Sequence, residues 1–288
     1  MQKVRIVTDS AADLPKAVRE AEGIAMLPMQ ITFGDEEFRD GVDLSTAEFY
    51  RRLREGNILP KTAQPLVAEV EKVFRELTAD GSSLVVLHMS SGLSGTYATS
   101  LMLAEELKAK GADIHVVDSL SASLGQGLLV LSAARMARQG ATSGEIVADL
   151  ARRIPRINHL FILDTIEYLL KGGRITKTEA VLGTILDVKP QLYINNEGRI
   201  LVKAKVRGRK RSIAQLLEEV GKRLTDPSRQ TVGVVHADCP DEAGELVEQV
   251  RQRFAPAEII TSEMTATVGT HVGPGLLGVV FESDLGRG

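Results

Sequence analysis

Between Ser82 and Lys108 the hydrophobic period of the chain changes abruptly, in the run SSLVVLHMSSGLSGTYATSLMLAEELK. Leu84, Val85, Val86 and Leu87 are consecutive apolar residues, the mark of a short strand buried on both faces. The residues from Ser90 to Thr96 are small, polar and rich in glycine. From Tyr97 the period is helical, with Ala98, Leu101, Ala104 and Leu107 on one side and Glu105, Glu106 and Lys108 on the other. The turn also has a chemistry. Free N–H groups and the positive end of the helix dipole favour an anion at such a helix start. Ser91, Ser94 and Thr96 add hydroxyls to it. A plain N-cap by Ser94 or Thr96 satisfies the same pattern, so both roles stay open at this point.

The rest of the first half repeats the alternation. Val4 to Val7 read as a buried strand ending in Thr8-Asp9-Ser10, polar residues at the carboxyl end of a strand, where function collects in open α/β sheets. Asp13, ahead of Pro15, is expected to cap the next helix. Residues 25–33 read as one strand, followed by a hairpin turn at Gly34-Asp35. Ser45-Thr46-Ala47-Glu48 has the form of a capping box. Residues 59–65 read as a loop stiffened by Pro60 and Pro65, and its Thr62 is either a held hydrogen-bond donor or the N-cap of the helix over 65–77. A strand over 114–117 and helices over 122–138 and 143–153 follow. This alternation predicts a three-layer α/β/α domain with a mainly parallel sheet over residues 1–157.

The second half differs. Strands are expected over 159–163, 188–194, 199–206, 231–236, 258–261 and 276–282, with helices over 166–170, 178–186, 212–224 and 241–254. Asn195-Asn196-Glu197-Gly198 is a hairpin turn, and hairpins beside crossovers predict a mixed sheet. Residues 158–288 are therefore expected to form a two-layer α/β domain. Gly172-Gly173 ends a helix by the left-handed route and leaves Arg174 on a tight turn, where a guanidinium reaches a carboxylate or phosphate. Residues 268–275, VGTHVGPG, read as a glycine-rich loop.

Composition narrows the function. The 288 residues carry 35 basic and 38 acidic side chains, closely interleaved, which argues against a nucleic-acid surface. The single cysteine, Cys239, allows no internal disulfide and no zinc cluster, as expected of a thiol in a reduced cytoplasm. The first residues read as a strand and not a signal peptide, and no apolar run reaches membrane-spanning length, so no stable membrane insertion is expected. Aromatic residues are only 4% and tryptophan is absent, so a large cavity must be lined mostly by aliphatic side chains.

Among catalytic chemistries, a serine hydrolase needs Ser94 as nucleophile with His88, His236 or His271 as base. The elbow glycine two residues after the serine is replaced here by Thr96, so the match is weak. No dinucleotide or Walker loop occurs, and the five histidines show no metal-ligand spacing. What remains is a binding site in which Thr62 and Ser94 flank a helix start, which suits a carboxylate.

Several motifs fall in order along the chain: Val7-Thr8-Asp9-Ser10, Thr62-x-Gln64-Pro65, Ser90-Ser91-Gly92-Leu93-Ser94-Gly95-Thr96-Tyr97, Val117-Asp118-Ser119, Leu169-x-Lys171-Gly172-Gly173-Arg174-Ile175, Lys189-Pro190 and His271-x-Gly273-Pro274-Gly275. Together they resemble the DegV family of bacterial fatty-acid-binding proteins over nearly the whole chain. The resemblance implies a cytoplasmic carrier with no turnover and no cofactor of its own. Its ligand would be a long-chain fatty acid, such as palmitate or oleate, held between two domains. It implies that Thr62, Ser94 and Gly95 take the carboxylate, and that Arg174 and His271 lie near the head group and a partner. That partner would be a fatty acid kinase that makes an acyl phosphate. Ala63 stands where the family's Thr-Ser-Gln-Pro loop often has a serine.

Overall fold

The computed structural model describes residues 3–56, 58–176 and 188–287. The helix expected over 178–186 lies outside the described residues. In chain order the elements are β1 (Val4–Asp9), α1 (Lys16–Ala21), β2 (Ala25–Leu27), β3 (Gln30–Phe33), β4 (Glu36–Arg39), α2 (Thr46–Glu55), β5 (Lys61–Ala63) and α3 (Val67–Thr78). Next come β6 (Ser83–His88), α4 (Thr96–Lys108), β7 (Ile114–Asp118), α5 (Leu124–Arg138), α6 (Ser143–Arg153), β8 (Ile157–Ile162) and α7 (Glu167–Lys171). The chain closes with β9 (Val188–Ile194), β10 (Ile200–Arg207), α8 (Arg209–Arg223), β11 (Thr231–His236), α9 (Pro240–Phe254), β12 (Glu258–Glu263), α10 (Ala266–Val272) and β13 (Leu277–Glu282).

The first sheet has the order β2-β1-β6-β7 and is parallel throughout. β6 is central and buried at all six positions, which is why its sequence is a continuous apolar run. Val7, Leu84 and Val86 pack on Val70 and Phe74 of α3 and Leu103 and Leu107 of α4. Ile6, Val85 and Leu87 face α5 and α6 on the other side. The second sheet has the order β10-β9-β8-β13-β11-β12, with β11 and β12 parallel and the other pairs antiparallel. α8 and α9 cover one face through Leu216, Leu217, Val220, Leu246 and Val250. The expected parallel three-layer and mixed two-layer arrangements are both present.

The helix α5 serves both sheets. Ten of its fifteen residues are buried, and its sequence is apolar all round instead of striped. It packs on β1 and β6 of the first sheet and on β8, β11 and β13 of the second. Gly125 is what permits this approach, since a Cβ there would lie 1.8 Å from Nε2 of His159 on β8. Buried His159 accordingly sits with its Nε2 2.6 Å from the Ser121 hydroxyl, and burial pushes its pKa well down. A second tie between the sheets is Arg287. Its guanidinium donates to the carbonyls of Ser119, Leu120, Ile154 and Asn195 at 2.5–3.4 Å.

Three local expectations are corrected. Residues 25–33 do not form one strand: Pro28-Met29 break it into β2, which joins the parallel sheet, and β3, which starts a separate antiparallel sheet of order β4-β3-β5. Residues 61–63 are a strand and not a loop, with Thr62 opposite Ile31. Residues 266–272 are the helix α10, so only the end of the expected glycine-rich loop is loop. Gly269 is not a turn glycine; it admits the ring of Phe49, which a Cβ there would approach to 2.6 Å.

Candidate functional site

The turn before α4, the strand β5, the turn after α7 and the helix α10 converge at one place. Thr62, Ser94, Arg174 and His271 line one cavity together with Met29, Met89, Leu93 and Val268. Thr62, Arg174 and His271 also line an outer cleft of about 450 Å³, joined there by Lys61, Lys171 and Tyr168. Going inward, the cavity shares Ala122, Ile200, Val268 and Val272 with a mainly apolar one lined further by Phe161, Ile194, Met264 and Val280, with Ser123 and His159 among them. The arrangement is thus an open cationic cleft, a ring of hydroxyl, imidazole and guanidinium, and an apolar interior. The two inner spaces are narrow, about 50 and 40 Å³, room for one or two water molecules each.

Thr62 is not a helix cap. The N-cap of α3 is Leu66, which makes no side-chain cap bond. Instead the Thr62 hydroxyl lies 2.8 Å from Nε2 of His271. Burial, reinforced by the charge of Arg174, pushes the His271 pKa down to about 4, so the ring is neutral at pH 7. Its Nδ1 is buried without a hydrogen-bond partner against Gly172, where a Cβ would come within 2.2 Å. A bare Nδ1 fits the tautomer that carries its proton on Nε2. In that tautomer Nε2–H donates to Thr62, and the Thr62 hydroxyl hydrogen is left for another acceptor.

Ser94 is half of the same device. Its Oγ lies 2.9 Å from the Thr96 hydroxyl and accepts from the Thr96 N–H at 3.3 Å. The N-cap of α4 is Gly95, which has no side chain to close the helix end. Among the described residues no histidine hydrogen-bonds to Ser94. His88, one candidate base, is fully buried with Nδ1 2.8 Å from Asp9. His236, the third, is on β11 with Nδ1 4.0 Å from Glu263 and does not line this cavity.

Arg174 is half-buried, and burial lowers its pKa. Its guanidinium donates to the carbonyls of Leu93, at 3.3 Å, and Gly172, at 2.5 Å. Among the described residues no carboxylate pairs with it. A positive charge so placed beside neutral His271 is available to an anion in the cavity. Leu93 precedes Ser94, so Arg174 also fastens the turn that carries it.

The carboxylates near β1 are structural. Asp13 does not cap α1, whose N-cap is Pro15 with no side-chain bond; Asp9 caps only the short 3-10 turn Ser10–Ala12, its Oδ1 accepting from the Ala11 N–H and its Oδ2 from the Met89 N–H. Asp13 is buried in a left-handed conformation and instead accepts from the Thr265 N–H at 2.8 Å. Asp40 accepts from the Thr267 N–H at 3.2 Å and from its hydroxyl at 2.5 Å. Two buried carboxyls therefore hold the start of α10, the helix that carries His271. The signal for this was only the short polar run before the helix, and its partners are over two hundred residues away in sequence. Burial, with Asp40's charge as a smaller contribution, raises the Asp13 pKa to about 8. Folding thus favours the protonated acid. The stability this gives is complete below the unfolded-chain value near 4 and is lost as pH rises to about 8. Asp13→Asn keeps an acceptor for Thr265 without the titration. Its melting temperature is expected to fall less between pH 5 and pH 8.5 than that of the wild type, and parallel curves from the two proteins would refute this.

Fold and site together define an α/β protein with a ring of hydroxyl, imidazole and guanidinium groups above an apolar interior. A profile of the DegV family matches residues 3–284. A DegV domain-containing protein of Clostridium perfringens is 39% identical over 288 residues, covering 99% of each chain. Among solved structures, a DegV family protein from Thermus thermophilus, described by its fatty acid binding, superposes with a TM-score of 0.90 at 29% identity, covering 98% of this chain and all of that one. DegV of Bacillus subtilis, described as a fatty acid binding protein, gives 0.90 at 29% identity over 99% of this chain and all of that one. This chain belongs to the DegV family. Among the described residues no helix is long and apolar enough to cross a membrane, and no group of acidic, histidine or cysteine side chains suits a metal ion.

Proposed function

We propose that this protein is a non-catalytic cytoplasmic carrier of a long-chain fatty acid such as palmitate or oleate. The carboxylate would accept from the hydroxyls of Thr62 and Ser94 and the N–H of Gly95, with Arg174 supplying charge and His271 orienting Thr62. The observation that carries this is the meeting of those side chains at the neck of an apolar interior. The fatty acids of the related structures support it. The division between residues 1–157 and 158–288 is supported by the two large sheets, which draw their strands from either side of it apart from the first residue of β8. A serine hydrolase is disfavoured because the Ser94 hydroxyl is bonded to Thr96, and the imidazole that shares its cavity, His271, is bonded to Thr62.

Energetics divide the labour. Burying about 14 methylenes at ~0.8 kcal/mol each gives on the order of 10 kcal/mol gross. Affinity therefore resides in the tail and selectivity in the head. The narrow interior must widen to admit an alkyl chain, and Met29, Met89 and Met264 in its walls are the side chains best able to move aside. The acid is presented to a fatty acid kinase at the outer cleft, whose Lys61, Lys171 and Arg174 suit a phosphate. Native mass spectrometry of the purified protein, followed by denaturing extraction, tests the ligand class. A stoichiometric adduct released as a free fatty acid is expected. A protein that is empty and takes up neither palmitate nor oleate would overturn the proposal.

A further inference from the structure

Thr62 lies on a strand of the small antiparallel sheet and Ser94 on the turn between β6 and α4, so something must fix the gap between them. β5 is only three residues long and pairs with β3 alone, with Lys61 and Ala63 exposed. So short an edge strand does not hold a side chain to the tolerance a head-group site needs. Gln64 follows directly on β5. Its Oε1 accepts from the hydroxyl of Thr99, in the first turn of α4, at 2.6 Å. Its carboxamide lies across Gly95, where a Cβ would stand 2.6 Å from Nε2 and 3.4 Å from Cδ. Pro65, buried just behind, restricts the backbone of Gln64.

We propose that Gln64 is a positioning residue that clamps Thr62 against Ser94, and that Gly95 is glycine so that its carboxamide can reach Thr99. This rests on the carboxylate site proposed above. The clamp touches neither the carboxylate nor the tail. Its loss acts only through the spacing of the two hydroxyls, and a misplacement of a fraction of an ångström is enough to weaken both bonds.

Binding of palmitate and of methyl palmitate is measured for each variant. Gln64→Ala, a surface change, is expected to reduce the acid-over-ester preference about tenfold with the ester affinity unchanged, the size of one good hydrogen bond. Thr99→Val is expected to reproduce it. In a Thr62→Ala background Gln64→Ala is expected to add nothing, because the group it positions is gone. The inference is overturned if Gln64→Ala keeps the wild-type preference, or if its effect adds in full to that of Thr62→Ala. A wild type with no preference for the acid overturns instead the carboxylate site on which the inference rests.

Discussion

Replacing Thr62 and Ser94 together by alanine is expected to reduce discrimination between palmitate and its methyl ester about a hundredfold. In the proposed site each hydroxyl donates to a charged acceptor, and such a bond contributes ~1.5–3 kcal/mol. Losing two removes at least about 3 kcal/mol, roughly a hundredfold in the acid's dissociation constant. The ester should bind the double variant about as it binds the wild type, because the apolar interior is unchanged. Thr62→Ser keeps a hydroxyl within reach of His271 and should retain most of the preference. Thr62→Ala alone has a second consequence: it leaves Nε2 of buried His271 without its partner. Competition binding with a fluorescent fatty acid reads the ratio directly. A double variant with the wild-type ratio would remove these hydroxyls from the head-group site.

The largest expected loss of stability lies outside the ring of site residues, at Phe49. Its side chain is fully buried and packs against Phe33, tilted at 5.9 Å, and Tyr50, edge-on at 4.9 Å between ring centroids. Its edge lies against Gly269 in the middle of α10. Phe49→Ala leaves a cavity under that helix and costs ~3–5 kcal/mol. For a chain of this size that is a fall of roughly 6–20 °C in melting temperature. Val67→Ala, at an exposed position, should stay within ~0.5 kcal/mol of the wild type. If the two variants melt alike, Phe49 does not support α10 as the packing indicates. Because α10 carries His271, Phe49→Ala should also weaken acid selectivity in the fraction that remains folded.

The elements legible in the sequence are those whose period is set by burial. β6 is apolar at consecutive positions because both its faces are covered, and the hairpin at Asn195–Gly198 is marked by its turn residues, with Gly198 at a φ of +71°. What the sequence hid was decided by distant partners. β5 has no pattern of its own and is a strand only because β3 lies beside it. α10 looks like loop because Gly269 is glycine for the sake of Phe49, and local rules read glycine as a break. Pro28 was the visible warning that residues 25–33 would divide. Asp13 looks like a cap because capping is local, whereas its partner, Thr265, is distant in sequence. The site shows the same division. Thr62 and Ser94 stand out as hydroxyls in stiff or glycine-rich segments, but the bond from Thr62 to His271 spans 209 residues and has no local signature.

Arg287 sets an order of events. Its guanidinium closes carbonyls at Ser119, Leu120, Ile154 and Asn195, the earliest of them synthesised 168 residues before it. The carbonyls of Ile154 and Asn195 also accept locally, from the N–H groups of Ile157 and Gly198, but their link to the turn at Ser119-Leu120 waits for one late side chain. The first sheet can assemble early, but the seam between the two sheets is finished only when residue 287 has left the ribosome.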